Sequence, residues 1–237
     1  MAQSFFIWNG IDCRSKGVIM RGPAPIIRAE ERVKHVQIPG RAGDLTETEG
    51  ENIYNSYIQT VTISVRGGFN VRNIYKWLRG SGYVTFSGEP DKKQAARVIG
   101  AITLNRVSRN IDHWAGEVQF YCQPFKEKMY RELKTVTSSG STVRNDGDVT
   151  SRPVWRATAS GTSLTLAAAG KTITMTGITS GHVYRIDSDS MEVYDETASA
   201  SATVKSSGEF PVLAVGANTV TGSGWSSVEI DVRERYL

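Results

Sequence analysis

Nine consecutive residues, Tyr57-Ile-Gln-Thr-Val-Thr-Ile-Ser-Val65, alternate with period two. In an extended strand that spacing puts Tyr57, Gln59, Val61, Ile63 and Val65 on one face. Such a strand needs neighbours to bond its backbone and a layer to cover its apolar face, so it commits the surrounding chain to a sheet. Shorter strand-like segments follow the same logic at residues 4–8, closed by a turn at Asn9-Gly10, and at 33–38, 83–86, 95–105 and 114–122. The Gly-rich corner Pro39-Gly-Arg-Ala-Gly43 leads into a polar loop over residues 44–55. One segment departs from the pattern. Asn70 precedes Val71, Ile74, Tyr75 and Leu78 at helical spacing and Gly80 follows, which predicts one amphipathic helix over residues 70–78, lying on a sheet.

From about residue 135 the composition shifts to Ser, Thr, Gly and Ala, with Thr137-Ser-Ser-Gly-Ser141 marking the boundary and residues 125–134 as the connector. Two domains are therefore expected, 1–134 and 135–237, in keeping with a chain of 237 residues. In the second, short Thr/Val-rich segments at 154–159, 163–167, 171–175, 183–186 and 228–232 predict an antiparallel sandwich without helices. Hydrophobic residues at 39% and charged residues at 22% supply an ordinary core and exclude collagen-like, coiled-coil and wholly disordered chains. No apolar run approaches the roughly 18 residues that cross a bilayer. The first ten residues lack a basic n-region and a long apolar h-region, so a soluble, non-secreted chain with no membrane partner is expected.

Residues 1–130 carry 18 Lys and Arg against 12 Asp and Glu, a balance of +6, whereas residues 131–237 carry 10 against 12, a balance of −2. The basic residues are scattered rather than run together, which argues against a nucleic-acid-binding stripe. The polar loop from Arg41 is the best candidate for a subunit contact: its acids Asp44, Glu47, Glu49 and Glu51 could meet Arg72, Lys76 and Arg79 on the outer helix face of a neighbour. A simply solvated loop is the other reading.

The signals for catalysis are weak. Cys13 and Cys122 stand without a CxxC or a nearby His pair and read as reduced, buried residues. His35, His113 and His182 sit in separate segments. Asp187, Asp189, Asp195 and Glu196 form the densest acidic cluster, and glycoside hydrolysis uses paired carboxylates, but Asp187-Ser-Asp189 reads better as a turn whose Asp caps its own backbone. Gly67-Gly68 before the helix lacks the Lys-Ser/Thr of a phosphate loop. No nucleophile elbow, P-loop or HExxH occurs, so no enzyme, cofactor or metal is expected. Trp155 and Tyr184 fall inside strands and read as core; Trp225, between Gly224 and Ser226, is the candidate exposed platform for a glycan.

Taken in order, these residues resemble the distal tail proteins of long-tailed, siphovirus-type bacteriophages. The resemblance rests on Asn9-Gly10 before Asp12 and Gly17, Ile38-Pro-Gly-Arg-Ala-Gly43, the helix ending at Trp77-Leu78 and Phe120-Tyr-Cys-Gln-Pro-Phe125. In the second half it rests on Gly147 followed by Pro153, Tyr184-Arg-Ile-Asp187, and Gly208-Glu-Phe-Pro-Val-Leu213 leading into Gly216-Ala-Asn218. Each motif is a turn beside a strand, and the collinear set carries the likeness. The resemblance implies a mainly β chain: an N-terminal β-sandwich with one α-helix, and a C-terminal galectin-like or carbohydrate-module-like β-sandwich. It implies a structural hub at the tail tip of the virion, assembled in the host cytoplasm. Six N-terminal domains would close a ring, single or paired back to back in isolation, with the second domain peripheral. The implied partners are the tail tube protein, the tail-associated protein, and receptor-binding or side-fibre proteins, with DNA passing through the lumen unbound. A stand-alone carbohydrate-binding module, using Trp225 against host wall glycans, is the alternative.

Overall fold

The computed structural model describes residues 4–107, 112–198 and 205–237. The chain is mainly β and divides into two compact units, Met1–Met129 with Leu237, and Tyr130–Tyr236.

The strands of the first unit are β1 (Phe6–Trp8), β2 (Ile11–Asp12), β3 (Val18–Met20), β4 (Val33–Val36), β5 (Leu45–Thr48), β6 (Tyr57–Val65), β7 (Ser81–Phe86), β8 (Lys92–Ile99), β9 (Leu104–Arg106) and β10 (Trp114–Lys128), with helix α1 at Val71–Trp77. The path of hydrogen-bonded neighbours runs β2-β1-β7-β8-β10-β6-β3, and β9 also pairs with β10. All of these pairings are antiparallel. The inner face of β6 is the alternating set read from the sequence, with Gln59, Val61, Ile63 and Val65 buried and paired in register with Phe120, Val118, Gly116 and Trp114 of β10.

This sheet is strongly curled. In a flat sheet, three strand spacings would hold β1 and β10 about 14 Å apart. Yet the Phe120 ring lies 5.5 Å from that of Phe6 and 5.4 Å from that of Trp8, so the two limbs of the path face each other across one core. Helix α1 fills the opening. Ile74 and Leu78 are buried in the same cluster, and Trp77 stacks on Phe6 with ring centroids 5.7 Å apart. The Asn70 side chain caps the helix by accepting the Arg72 N–H at 2.9 Å, and Gly80 leaves it at φ 74°, as the spacing predicts. Cys13 and Cys122 are both free thiols buried in this core.

The segment expected to connect the domains is mostly strand. A register shift between Cys122 and Lys126 carries β10 past Pro124 as far as Lys128, and β11 (Leu133–Val136) already belongs to the second unit. The bulge absorbs the residue that cannot donate to the ladder.

The second unit continues with β12 (Ser141–Asn145), β13 (Val154–Ala159), β14 (Ser163–Ala168), β15 (Lys171–Thr176), β16 (Val183–Asp187), β17 (Glu192–Asp195), β18 (Ser206–Gly208), β19 (Gly216–Ser223) and β20 (Trp225–Asp231). These strands form two five-stranded antiparallel sheets, β11-β20-β13-β16-β17 and β12-β19-β14-β15-β18. Their inner faces share one core that includes Trp155, Leu164, Leu166, Ile173, Tyr184 and Ile230, so the unit is a β-sandwich. Trp155 and Tyr184 are core residues, as their place in strands predicts.

Candidate functional site

The acidic loop is half of a hairpin. Strand β5 pairs with β4 through Val33↔Thr48, Lys34↔Glu47, His35↔Thr46 and Val36↔Leu45, so the expected polar loop at 44–55 contains a strand. The chain reverses through Gly40 and Gly43, at φ 81° and 80°, which gives the Gly-rich corner its physical reason. The ladder continues toward the sheet through a Glu31↔Tyr54 bridge, and Tyr54 meets the Phe125 ring edge-on at 5.6 Å. Beyond that anchor the arm is unsupported: no residue of β4 or β5 is buried, and none enters the core cluster. A lone two-stranded hairpin is marginal in water.

Arg41, Asp44, Glu47, Glu49 and Glu51 are all exposed on this arm or its flanks. Glu49 reaches Arg32 at 3.7 Å, while Asp44, Glu47 and Glu51 make no ion pair within the described residues. On the helix, Ile74 takes the inner face, which leaves Arg72 and Lys76 as an exposed ridge at i and i+4; Arg79, expected on the same face, is exposed just past the helix end, because the backbone leaves helical geometry at Leu78 (ψ 71°). No acid lies on α1, and no ion pair links the ridge to the arm within the described residues of one chain. The sequence pattern found these two charged sets. It missed Lys34 and His35, which share the arm; the signal was Val33-Lys-His-Val36 mirrored by Leu45-Thr-Glu-Thr48 across the glycine corner. Ile38, near the arm's tip, and Tyr75, beside the ridge, are 41% and 39% exposed and add apolar area to each surface.

The turn into the helix is already filled. The Gly68 N–H donates to Asp112 at 3.2 Å and the Trp114 indole N–H to the same carboxyl at 3.0 Å. Together these donors hold Asp112 below the usual carboxylate range. A Cβ on Gly67 would come within 2.7 Å of the Asp112 carbonyl oxygen, so Gly67-Gly68 serves backbone packing rather than a phosphate.

The second unit's acidic cluster is committed to structure. Asp187 receives both terminal nitrogens of Arg233, at 3.0 and 3.1 Å, and Nη2 of Arg185 at 3.0 Å. It also accepts the Asp189 and Ser190 N–H groups, which is the self-capped turn expected from the sequence. Burial pushes this carboxyl up, but the turn amides and Arg233 outweigh it and hold it below its ordinary value. Asp189 pairs with Arg235, Glu196 with Arg156, and Asp195 with His182 at 2.8 Å. A carboxyl pinned in its charged form by two guanidinium groups is poorly placed to deliver a proton.

Trp225 overturns an expectation. It is only 9% exposed, its indole N–H donates to the Thr165 carbonyl at 3.2 Å, and it lies within the sandwich core. Gly222 and Gly224, where a Cβ would fall 2.1 and 2.0 Å from backbone oxygens of β14, let β19 and β20 approach closely enough to bury it. The ring is thus part of the core and offers no open platform. Among the described residues no group of three or more His, Cys, Asp and Glu could hold a metal, and no helix is long and apolar enough to cross a membrane.

No family model and no curated protein matches the chain. Among solved structures, the Dit protein of phage SPP1, characterised as a paradigm of the hub adsorption apparatus in phages infecting Gram-positive hosts, is similar over 100% of both chains. The TM-score is 0.77 at 16% identity, a likeness of fold through both units.

Proposed function

We propose that this protein is a structural component of a phage tail tip, working as a ring-forming adaptor rather than an enzyme. The observation that carries the reading is the full-length likeness of fold to the SPP1 hub protein, in which both units take part. Six first units close a ring that continues the tail tube, and the sandwiches stand at its periphery, where the tail-associated and receptor-binding or side-fibre proteins dock. Closure of such a ring needs a heterologous contact, one patch against a different patch on the next copy.

The arm and the helix ridge are the two patches. Asp44, Glu47 and Glu51 of one copy face Arg72, Lys76 and Arg79 of the next, with Ile38 and Tyr75 as apolar contacts inside the charged rim. Exposed ion pairs contribute about 0.2–1 kcal/mol each and weaken with salt, so charge steers this contact while buried arm surface holds it. DNA crosses the lumen without being gripped, since tight phosphate binding would stall ejection. The basic excess of the first half belongs at subunit contacts and on the outside of the ring.

Light scattering on the purified chain across a concentration series tests the reading. The expected mass is six times 26.0 kDa, or that of a doubled ring. Reversing Arg72, Lys76 and Arg79 to Glu should dissociate it at low salt. A monomer at every concentration, with and without added tail tube protein, would overturn the proposal.

A further inference from the structure

We propose that Asn9 is a site of spontaneous deamidation and that its hydrogen bond to Tyr83 acts as a latch on the rate. Asn9-Gly10 forms the two-residue loop between β1 and β2, with both residues at positive φ, 50° and 77°, and Trp8 paired with Ile11 across it. Both residues are exposed. The Gly10 N–H has no hydrogen-bond partner among the described residues, and the space where its Cβ would sit is open to 4 Å.

Those are the requirements of the reaction. Hydroxide removes the Gly10 amide proton, and the nitrogen attacks Asn9 Cγ. A C–N bond forms, the bond from Cγ to Nδ2 breaks, and ammonia leaves with a proton from solvent. Water then opens the five-membered imide at either carbonyl and leaves aspartate or isoaspartate. No other reactant is needed. Only glycine after the asparagine leaves the attacking nitrogen this unhindered.

The latch is the Asn9 side chain itself. Its Oδ1 accepts the Tyr83 N–H at 2.9 Å, while the Asn9 N–H donates to the Tyr83 carbonyl at 2.9 Å, which clamps the turn onto β7. Gly82 is required beneath it, because a Cβ there would fall 1.7 Å from the Asn9 oxygen. Cγ reaches Gly10 N only when the bond to Tyr83 opens. The chain's other Gly turn of this chemistry, Asp146-Gly147, is closed to the reaction: Gly147 N–H donates to Asn145 Oδ1 at 3.0 Å in a buried site. Isoaspartate at position 9 would add a backbone atom to a two-residue loop, remove the acceptor of the Tyr83 N–H and add one negative charge.

The test incubates the full chain at neutral and mildly alkaline pH and maps isoaspartate by peptide mass spectrometry. A synthetic peptide of residues 4–12 serves as the unlatched reference, and Asn9→Gln as the blank. The folded chain is expected to convert at Asn9 several-fold faster than at Asn73 or Asn105, which are exposed but followed by larger residues, and several-fold slower than the peptide. Conversion at Asn9 no faster than at Asn73 or Asn105 would overturn the site. Conversion as fast as in the peptide would overturn the latch.

Discussion

Replacing Asp187 with asparagine keeps the size of the side chain and one oxygen for the Asp189 and Ser190 amides, but removes the charge that faces Arg185 and Arg233. Breaking a buried ion pair by removing one partner costs about 3–5 kcal/mol. Here the side chains of Arg185 and Arg233 are 36% and 24% exposed and recover some hydration. The expected loss is therefore about 2–3 kcal/mol, or roughly 10 °C in the melting temperature of a unit of this size. Trp155 is the natural probe, since its indole N–H donates at 3.1 Å to Ser188, the residue after Asp187. Urea melts followed by its fluorescence give the difference. The folded carboxyl titrates below its unfolded value of 3.8, so its contribution is complete above the unfolded range and disappears as the pH falls through the lowered one. Wild type and variant should thus converge in acid. A difference below about 0.5 kcal/mol at neutral pH, or one that persists unchanged down to about pH 2, would refute the reasoning.

Trp225→Ala should destabilise the sandwich by about 3–5 kcal/mol, as expected for a large core side chain, and glycan arrays should report no specific loss beyond that unfolding. Asn70→Ala removes the acceptor of the Arg72 N–H and should cost about 1 kcal/mol in chemical denaturation, with Asn70→Asp close to wild type. Burial pushes the Cys122 thiol up to about 12, so a thiol reagent at neutral pH should label it only as fast as the first unit opens; rapid labelling of native protein would contradict its place in the core.

Local chemistry was legible wherever it decides local structure. The alternation at residues 57–65, the Asn70 cap, the Asn9-Gly10 turn and the self-capped Asp187 all follow from side chains acting on their own neighbourhood. What escaped depends on contacts far along the chain. The hairpin β4–β5 reads in the sequence as strand and loop because β5 is polar and its partner lies across a glycine corner. Trp225 reads as exposed beside Gly224 and Ser226, yet those small neighbours are what allow the strands to close over it. The curl of the first sheet, which puts Phe120 against Phe6 and Trp8, has no signature in periodicity, since alternation says which face is buried and not which strand it meets. The charged sets of the candidate interface were visible as residue types; their separation onto an arm and a helix ridge needed the fold.

The strand order of the first unit also bears on how it is made. Residues 6–20 supply both ends of the path, β1 and β2 on β7, and β3 on β6, with only a 3-10 turn at Cys13–Lys16 between them. Of the strands in this sheet, those of residues 6–20 are made before their partners and can pair only after β6 and β7 have emerged, and the central strand β10 arrives later still. Pairings this distant in sequence fold slowly. Until the early segment docks, the outer edges of β6 and β7 stand unpaired, the kind of edge that recruits other chains. Slow synthesis at low temperature should therefore raise the soluble yield, and changes to the exposed residues of segment 6–20, which leave the buried Phe6, Trp8 and Val18 in place, should be felt in aggregation during expression more than in the stability of the finished fold.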